Sequence, residues 1–142
     1  MQRILLLLLT VITILSCSND DDNNVTPTNC DLITLISASE FADGPSDAVT
    51  ISSLTITDNC LKINFGASGC DGDTWQLNLI DSGTVMESDP PQRNLRLSLR
   101  NEEACLAFIT QELDFDISNL QVEGNQVILN ITNSNQSIPY DY

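Results

Sequence analysis

The stretch Leu54-Thr55-Ile56-Thr57-Asp58-Asn59-Cys60-Leu61-Lys62-Ile63 decides the fold, because apolar and polar residues alternate on both sides of Asp58-Asn59. A two-residue turn there sets Ile56 opposite Leu61 and Leu54 opposite Ile63, so one face of the hairpin is apolar. A slip of one residue would turn the whole apolar set to the other face, and the register is therefore specified by the pattern itself. The same logic extends outward. With Glu102-Glu103 as a turn, Leu99 faces Leu106 and Leu97 faces Phe108; with Gly124-Asn125 as a turn, Val122 faces Val127 and Leu120 faces Leu129. The apolar phase changes between Ile117 and Leu120, which a bulge or a change of sheet at Ser118-Asn119 would explain.

Thr, Val, Ile, Ser and Asn dominate the rest, with turn signals every ~8 to 12 residues. Strands are expected over 32–38, 49–57, 60–66, 74–80, 94–100, 105–111, 113–117, 120–123 and 126–132. The fold class is all-β, an antiparallel β-sandwich, immunoglobulin-like or related. Residues 30–142 make one domain of about 110 residues, enough to bury a real core.

Five cysteines are present. Zinc is disfavoured by spacing, since no C-x-x-C occurs, and by the lack of histidine. In an up-and-down reading with 32–38 running up, Cys30 and Cys60 meet at the lower end, while Cys70 and Cys105 both start downward strands at the upper end. Cys60 and Cys70 are separated by an intervening strand of about 20 Å. The expected disulfides are Cys30–Cys60 and Cys70–Cys105, leaving Cys17.

Cys17 closes a different kind of segment. Met1-Gln2-Arg3 is followed by Ile4 to Leu15, apolar apart from Thr10 and Thr13. That run has the length of a signal-peptide core and falls short of the about 20 residues a membrane span needs. Its end, Ile14-Leu15-Ser16-Cys17, resembles the lipobox of bacterial lipoproteins. The resemblance implies cleavage before Cys17, a diacylglyceryl group on its thiol and acylation of the freed amine; two or three chains make a durable anchor. Ser18-Asn19-Asp20-Asp21-Asp22 resembles the Ser-and-acid export signal of Bacteroidota surface lipoproteins. This implies an outer-membrane, lipid-anchored and surface-exposed location. Residues 1–16 are then the signal peptide, 17–29 an acidic tether unable to bury enough to order itself, and 30–142 a small β-sandwich lipoprotein domain.

The net charge is −15, and −16 once Arg3, the only charge in residues 1–16, is removed. Such a field repels nucleic acid and anionic surfaces. Without histidine there is no imidazole base or Ser-His nucleophile, and Lys62 is the only lysine. The expected function is a non-catalytic binding or interaction module with no cofactor, held to the membrane by its anchor and taking a protein or glycan partner. An accessory subunit of an envelope assembly is the alternative. Carboxylate-based hydrolysis of glycans, which needs only two acids, comes third.

Three groups are candidate sites. In the Gly66–Asp73 loop, Asp71 and Asp73 could offer oxygens to Ca²⁺, against the plainer reading of a Gly-rich loop ended by a disulfide. Of the cluster Arg93, Arg96 and Arg100, the last two share the outward face of one strand with Asn94 and Ser98. They either pair with acids such as Glu102 or Glu112 or recognise an anionic ligand. Trp75 shares inward parity with Leu77 and Leu79. Tyr140 and Tyr142 either present a sugar-stacking or protein-contact surface or dock the terminus.

Overall fold

The computed structural model describes residues 29–142. Residues 1–28, which hold the expected signal peptide, Cys17 and all but the last residue of the expected tether, lie outside the described residues.

The hairpin forms in the expected register. Thr50–Thr57 (β3) pairs with Cys60–Gly69 (β4), setting Leu54 against Ile63 and Ile56 against Leu61. Asp58 turns the chain with a φ of 54°, a left-handed conformation that Asp tolerates better than most residues. On its other edge β4 pairs along its length with Ala107–Asp116 (β7), and β7 in turn pairs with Leu32–Ile33 (β1). This sheet has the order β1-β7-β4-β3. The second sheet contains Leu35–Ile36 (β2), Gln76–Met86 (β5), Gln92–Arg100 (β6), Gln126–Ile131 (β8) and Gln136–Asp141 (β9), in the order β2-β5-β6-β8-β9.

One core lies between the sheets. Leu61, Ile63 and Phe115 of the first meet Leu79, Leu95 and Leu129 of the second, all fully buried. The fold is an all-β sandwich braced by Cys30–Cys60 and Cys70–Cys105, with Cα separations of 5.6 Å and 4.8 Å. Its sheets are mixed rather than purely antiparallel, since β1 with β7, β2 with β5 and β6 with β8 run parallel.

Two expected hairpins are absent. Residues 101–106 cross from β6 in the second sheet to β7 in the first, so Glu102-Glu103 is no hairpin turn. Leu97 and Leu99 pair with Leu79 and Leu77, while Leu106 is 92% and Phe108 61% exposed. The reason is that β7 gains a ladder along the whole of β4 while directing Leu113 and Phe115 into the core. The two strands expected over 105–111 and 113–117 are this one strand. Nor do residues 120–123 form a strand. Ser118–Leu120 is a 3-10 turn with Leu120 buried, and the chain passes there from β7 to the other sheet. The phase change was thus a change of sheet. Val127 and Leu129 find their antiparallel partners in Tyr140 and Ile138 of β9, a strand the sequence reading lacked.

The expected strand 32–38 breaks at buried Thr34, whose amide donates to the Asp116 carbonyl at 3.1 Å. Its halves join different sheets, each parallel to a downward strand, so the segment runs down rather than up. Cys30 still reaches the lower end because Leu32 pairs with Phe115, next to the last residue of β7. Ser37 then starts a short helix, Ala38–Asp43 (α1), its Oγ accepting the Glu40 amide at 3.2 Å. Ser37-x-x-Glu40 is a capping-box pattern. The helix packs on β5 and covers outward-facing Ile80, which is 1% exposed.

Candidate functional site

Both loops that change sheets at the upper end, after β4 and after β6, are joined by Cys70–Cys105. Gly72, at a φ of 79° that favours glycine, lets the first loop curl until its amides converge. The Glu103 carboxylate fills that curl. Its Oε2 accepts the amides of Cys70 (2.6 Å), Asp71 (3.3 Å) and Gly72 (3.2 Å), and its Oε1 accepts the Thr74 hydroxyl at 2.8 Å. Asp71 Oδ1 accepts the amide of Asp73 at 3.0 Å. The cradle thus presents N–H donors, which suit an anion, and Glu103 is that anion. Asp71 and Asp73, the calcium candidates, are not brought together with a third acidic, His or Cys group among the described residues.

Desolvation raises the Glu103 pKa, but the four hydrogen bonds together outweigh it and hold the carboxyl at about 2, below its ordinary 4.5. A depressed folded value means a contribution to stability that is full above about 4.5 and disappears as pH falls toward about 2. Glu103→Gln should therefore lower stability at pH 7, and the gap from wild type should close between those pH values in urea titrations. A gap that stays constant with pH would show that the charge of Glu103 does not matter to the cradle.

Arg96 and Arg100 do not form a binding strip. The Arg96 guanidinium donates to three carbonyls beyond and within α1: Pro45 at 2.9 Å, Glu40 at 2.7 Å and Gly44 at 3.3 Å. Ser98, expected to face solvent, is 1% exposed and donates to Pro45 at 2.6 Å. The segment after α1 crosses the outer face of β6, and Arg96 holds it there, where backbone oxygens replace the expected acids. Glu112 pairs instead with Lys62 at 2.7 Å. That hydrogen bond raises the Lys62 pKa and lowers that of Glu112. Arg100 is exposed at the strand end. Arg96→Ala should lower stability by about 2 kcal/mol, since hydrogen bonds to charged groups contribute ~1.5–3 kcal/mol each and overlap. A loss within the ~0–1 kcal/mol of a surface ion pair would contradict this role.

The tyrosines dock the terminus. Tyr140 is fully buried and donates to Asn59 Oδ1 at 2.6 Å while accepting from Gln121 at 2.8 Å. Burial raises its pKa. The Tyr142 hydroxyl bonds both the amide and the carbonyl of Val122, at 2.9 Å and 3.0 Å. Trp75 packs in the core beside Phe65, ring centroids 6.4 Å apart, as its parity indicated.

A different aromatic is exposed. Phe108 stands on the outward face of β7, and a Cβ built on Gly66 would lie 2.5 Å from its Cζ and 2.6 Å from its Cε1. The ring therefore lies against the bare backbone of β4. Below it, Ser52, Asn64, Phe65, Thr110, Gln111 and Glu112 line a shallow depression of about 400 Å³. Sequence reasoning assigned Phe108 to the core opposite Leu97. The signal that could have found it is parity, since Ile109, Leu113 and Phe115 share one face of β7 and Phe108 has the other.

The geometry defines a disulfide-braced, two-sheet β-sandwich with an open aromatic platform on one sheet. Among solved structures, the chain is similar to a toxin-related protein from Parabacteroides distasonis ATCC 8503, with 20% identity over 78% of this chain and 60% of that one and a TM-score of 0.52. It also aligns with a protein of unknown function (DUF1344) from Bacteroides vulgatus ATCC 8482, with 17% identity over 78% of this chain and 55% of that one and a TM-score of 0.49. The chain thus spans less than two thirds of either protein, and at such identity the first likeness concerns the fold alone. No protein-family profile and no curated protein matches the chain.

Proposed function

We propose that the protein is a lipid-anchored module of the outer-membrane surface that binds a partner without catalysis, through the outer face of the β1-β7-β4-β3 sheet around Phe108. The observation that carries this reading is the exposed Phe108 ring resting on Gly66. Its position agrees with the anchor implied by Ile14-Leu15-Ser16-Cys17. The described chain begins beside Cys60, and Phe108 pairs with Ser68, about 25 Å further along β4 at ~3.3 Å per residue. The platform then stands clear of the point where the tether enters. Hydrolysis is the weaker reading, because the Glu103 and Glu112 pKa values are lowered, whereas a general acid needs a raised one. The accessory-subunit reading draws on Leu32, Ile33, Leu35 and Ile36, exposed by 37 to 54% along the edge segment of β1 and β2.

The test is site-specific photo-crosslinking on intact cells. A photoreactive amino acid at Phe108 should give a discrete adduct at roughly ten times the yield of one at exposed Thr55, lower on the same face. Mass spectrometry should find Cys17 acylated. Equal yields at the two sites, or an unmodified Cys17 thiol, would overturn the corresponding half of the proposal.

A further inference from the structure

We infer that the occupant of the Phe108 platform is a neutral glycan chain, an inference that rests on the binding role proposed for this face. The first ground is shape. Because Gly66 has no side chain, Cζ and Cε1 of the ring occupy the space that a Cβ would fill above β4, while the residue stays 61% exposed. An aromatic face is electron-rich, and the C–H face of a pyranose is its flat, weakly positive complement. Standing on two paired strands, the exposed part of the ring is open to that complement.

The second ground is the chemistry around the ring. Outward residues recur every ~6.8 Å along a strand and ~4.8 Å across it, close to the span of one sugar ring. Thr110 and Ser52 offer hydroxyls, Asn64 an amide, and Glu112 a carboxylate. Lys62 donates to Glu112 Oε1 at 2.7 Å, which orients that carboxylate, and the Asn64 side chain also hydrogen-bonds it. Each of these groups can accept or exchange hydrogen bonds with a polyol. A protein interface of ordinary size would need about 800 Å² with an apolar centre, whereas the apolar surface here is narrow, Phe108 with the 92% exposed Leu106 above it, and the depression below is lined largely by polar groups.

The third ground is charge. The chain carries −15, and Lys62, the cation on this face, is engaged by Glu112 and Asp114. An anionic glycan would meet repulsion, with no unpaired cation on this face among the described residues. A neutral chain would not.

Affinity electrophoresis of the full chain in detergent, through gels containing α-mannan, β-1,3-glucan or xyloglucan, with polygalacturonate as the anionic control, tests the inference. At least one neutral polysaccharide should retard the protein and polygalacturonate should not. Phe108→Ala should weaken retardation tenfold or more, Phe108→Trp should retain it, and Thr110→Ala should weaken it severalfold. Phe108 is exposed, so unchanged thermal unfolding of these variants separates lost binding from lost fold. Absence of retardation by all three neutral polymers, or retardation indifferent to Phe108→Ala, overturns the glycan inference. If the Phe108 photo-adduct then proves to be with a protein, the binding role survives with another occupant; if neither is seen, both fall.

Discussion

Asp81→Ala should destabilise the domain by about 3–5 kcal/mol, because it strands a guanidinium at the edge of the core. Asp81 is fully buried and the Arg93 side chain is 8% exposed. They form a two-point contact, Nε to Oδ2 at 3.0 Å and Nη2 to Oδ1 at 2.9 Å. Oδ1 also accepts the Gly83 amide at 2.8 Å, where a φ of 77° and an irregular register carry β5 past the ion pair. The carbonyl of Asp81 accepts the Ser37 amide at 3.1 Å, so one residue ties the N-terminal segment, β5 and β6 together. Removing one partner of such a pair leaves a desolvated charge. Replacing both with apolar residues of similar volume is often neutral. Asp81→Leu with Arg93→Met should accordingly recover most of the loss. Urea unfolding decides it, and a single-mutant loss under about 1 kcal/mol would mean that water reaches Arg93.

This ion pair also marks where the sequence could be read and where it could not. Leu77, Leu79 and Asp81 have one parity, as do Arg93, Leu95, Leu97 and Leu99. Opposite charges thus end two apolar rows on adjacent strands. Ending the strands at 80 and beginning at 94 cut off both charges. The Leu54–Ile63 hairpin was legible because its turn is local and its two apolar rows are short and unambiguous. Strand length separates Cys60 from Cys70 and so removes one of the three pairings of four cysteines, but the choice of Cys30–Cys60 rests on an upward run of 32–38 that the structure reverses; the pairing holds because the segment enters at the lower end, where Leu32 pairs with Phe115.

What stayed hidden depends on partners distant in the chain. Nothing near Glu102-Glu103 says that β7 will leave β6 for β4, because Leu106 and Phe108 alternate as well as any core pair. Likewise, the parallel pairing of β6 with β8 depends on a change of sheet that local turn chemistry does not encode. The Arg96 carbonyl cage needs the segment after α1 to cross β6, and backbone acceptors leave no mark in a side-chain pattern. Phe108 shows the same limit. Its exposure follows from which strand lies beside β7, and the space its ring occupies is left by Gly66, 42 residues earlier. The helix was readable in principle, since Ser37-x-x-Glu40 is a local signal, but the surrounding Leu and Ile residues suggested one continuous strand.

The two disulfides should behave differently although their loops are nearly equal. The sequence separations are 30 and 35 residues, for which the chain-entropy relation gives about 4 kcal/mol each. That relation counts only the freedom released in the unfolded chain. The folded state differs at the two ends. At the upper end, Glu103 still holds the amides of residues 70–72 and Thr74 when the sulfurs are gone, and both loops continue into long paired strands. Cys70→Ala with Cys105→Ala should therefore leave the native loops in place, lose close to the full about 4 kcal/mol and keep a single cooperative transition. Adding Glu103→Gln to that variant should destabilise it more than the same change does in the wild type, since the two devices brace the same loops. At the lower end, Cys30 precedes two strands of two residues each, at sheet edges, with exposed Leu and Ile. Without Cys30–Cys60, the segment from Cys30 to Ile36 can detach while the rest stays folded, so the native state regains entropy as well. The global loss should be smaller, about 2 kcal/mol, and limited proteolysis should cut within 30–37 well before global unfolding. Equal losses, with no cleavage preference at the lower end, would mean that β1 and β2 are held by their own pairing and that the disulfide acts on the unfolded chain alone.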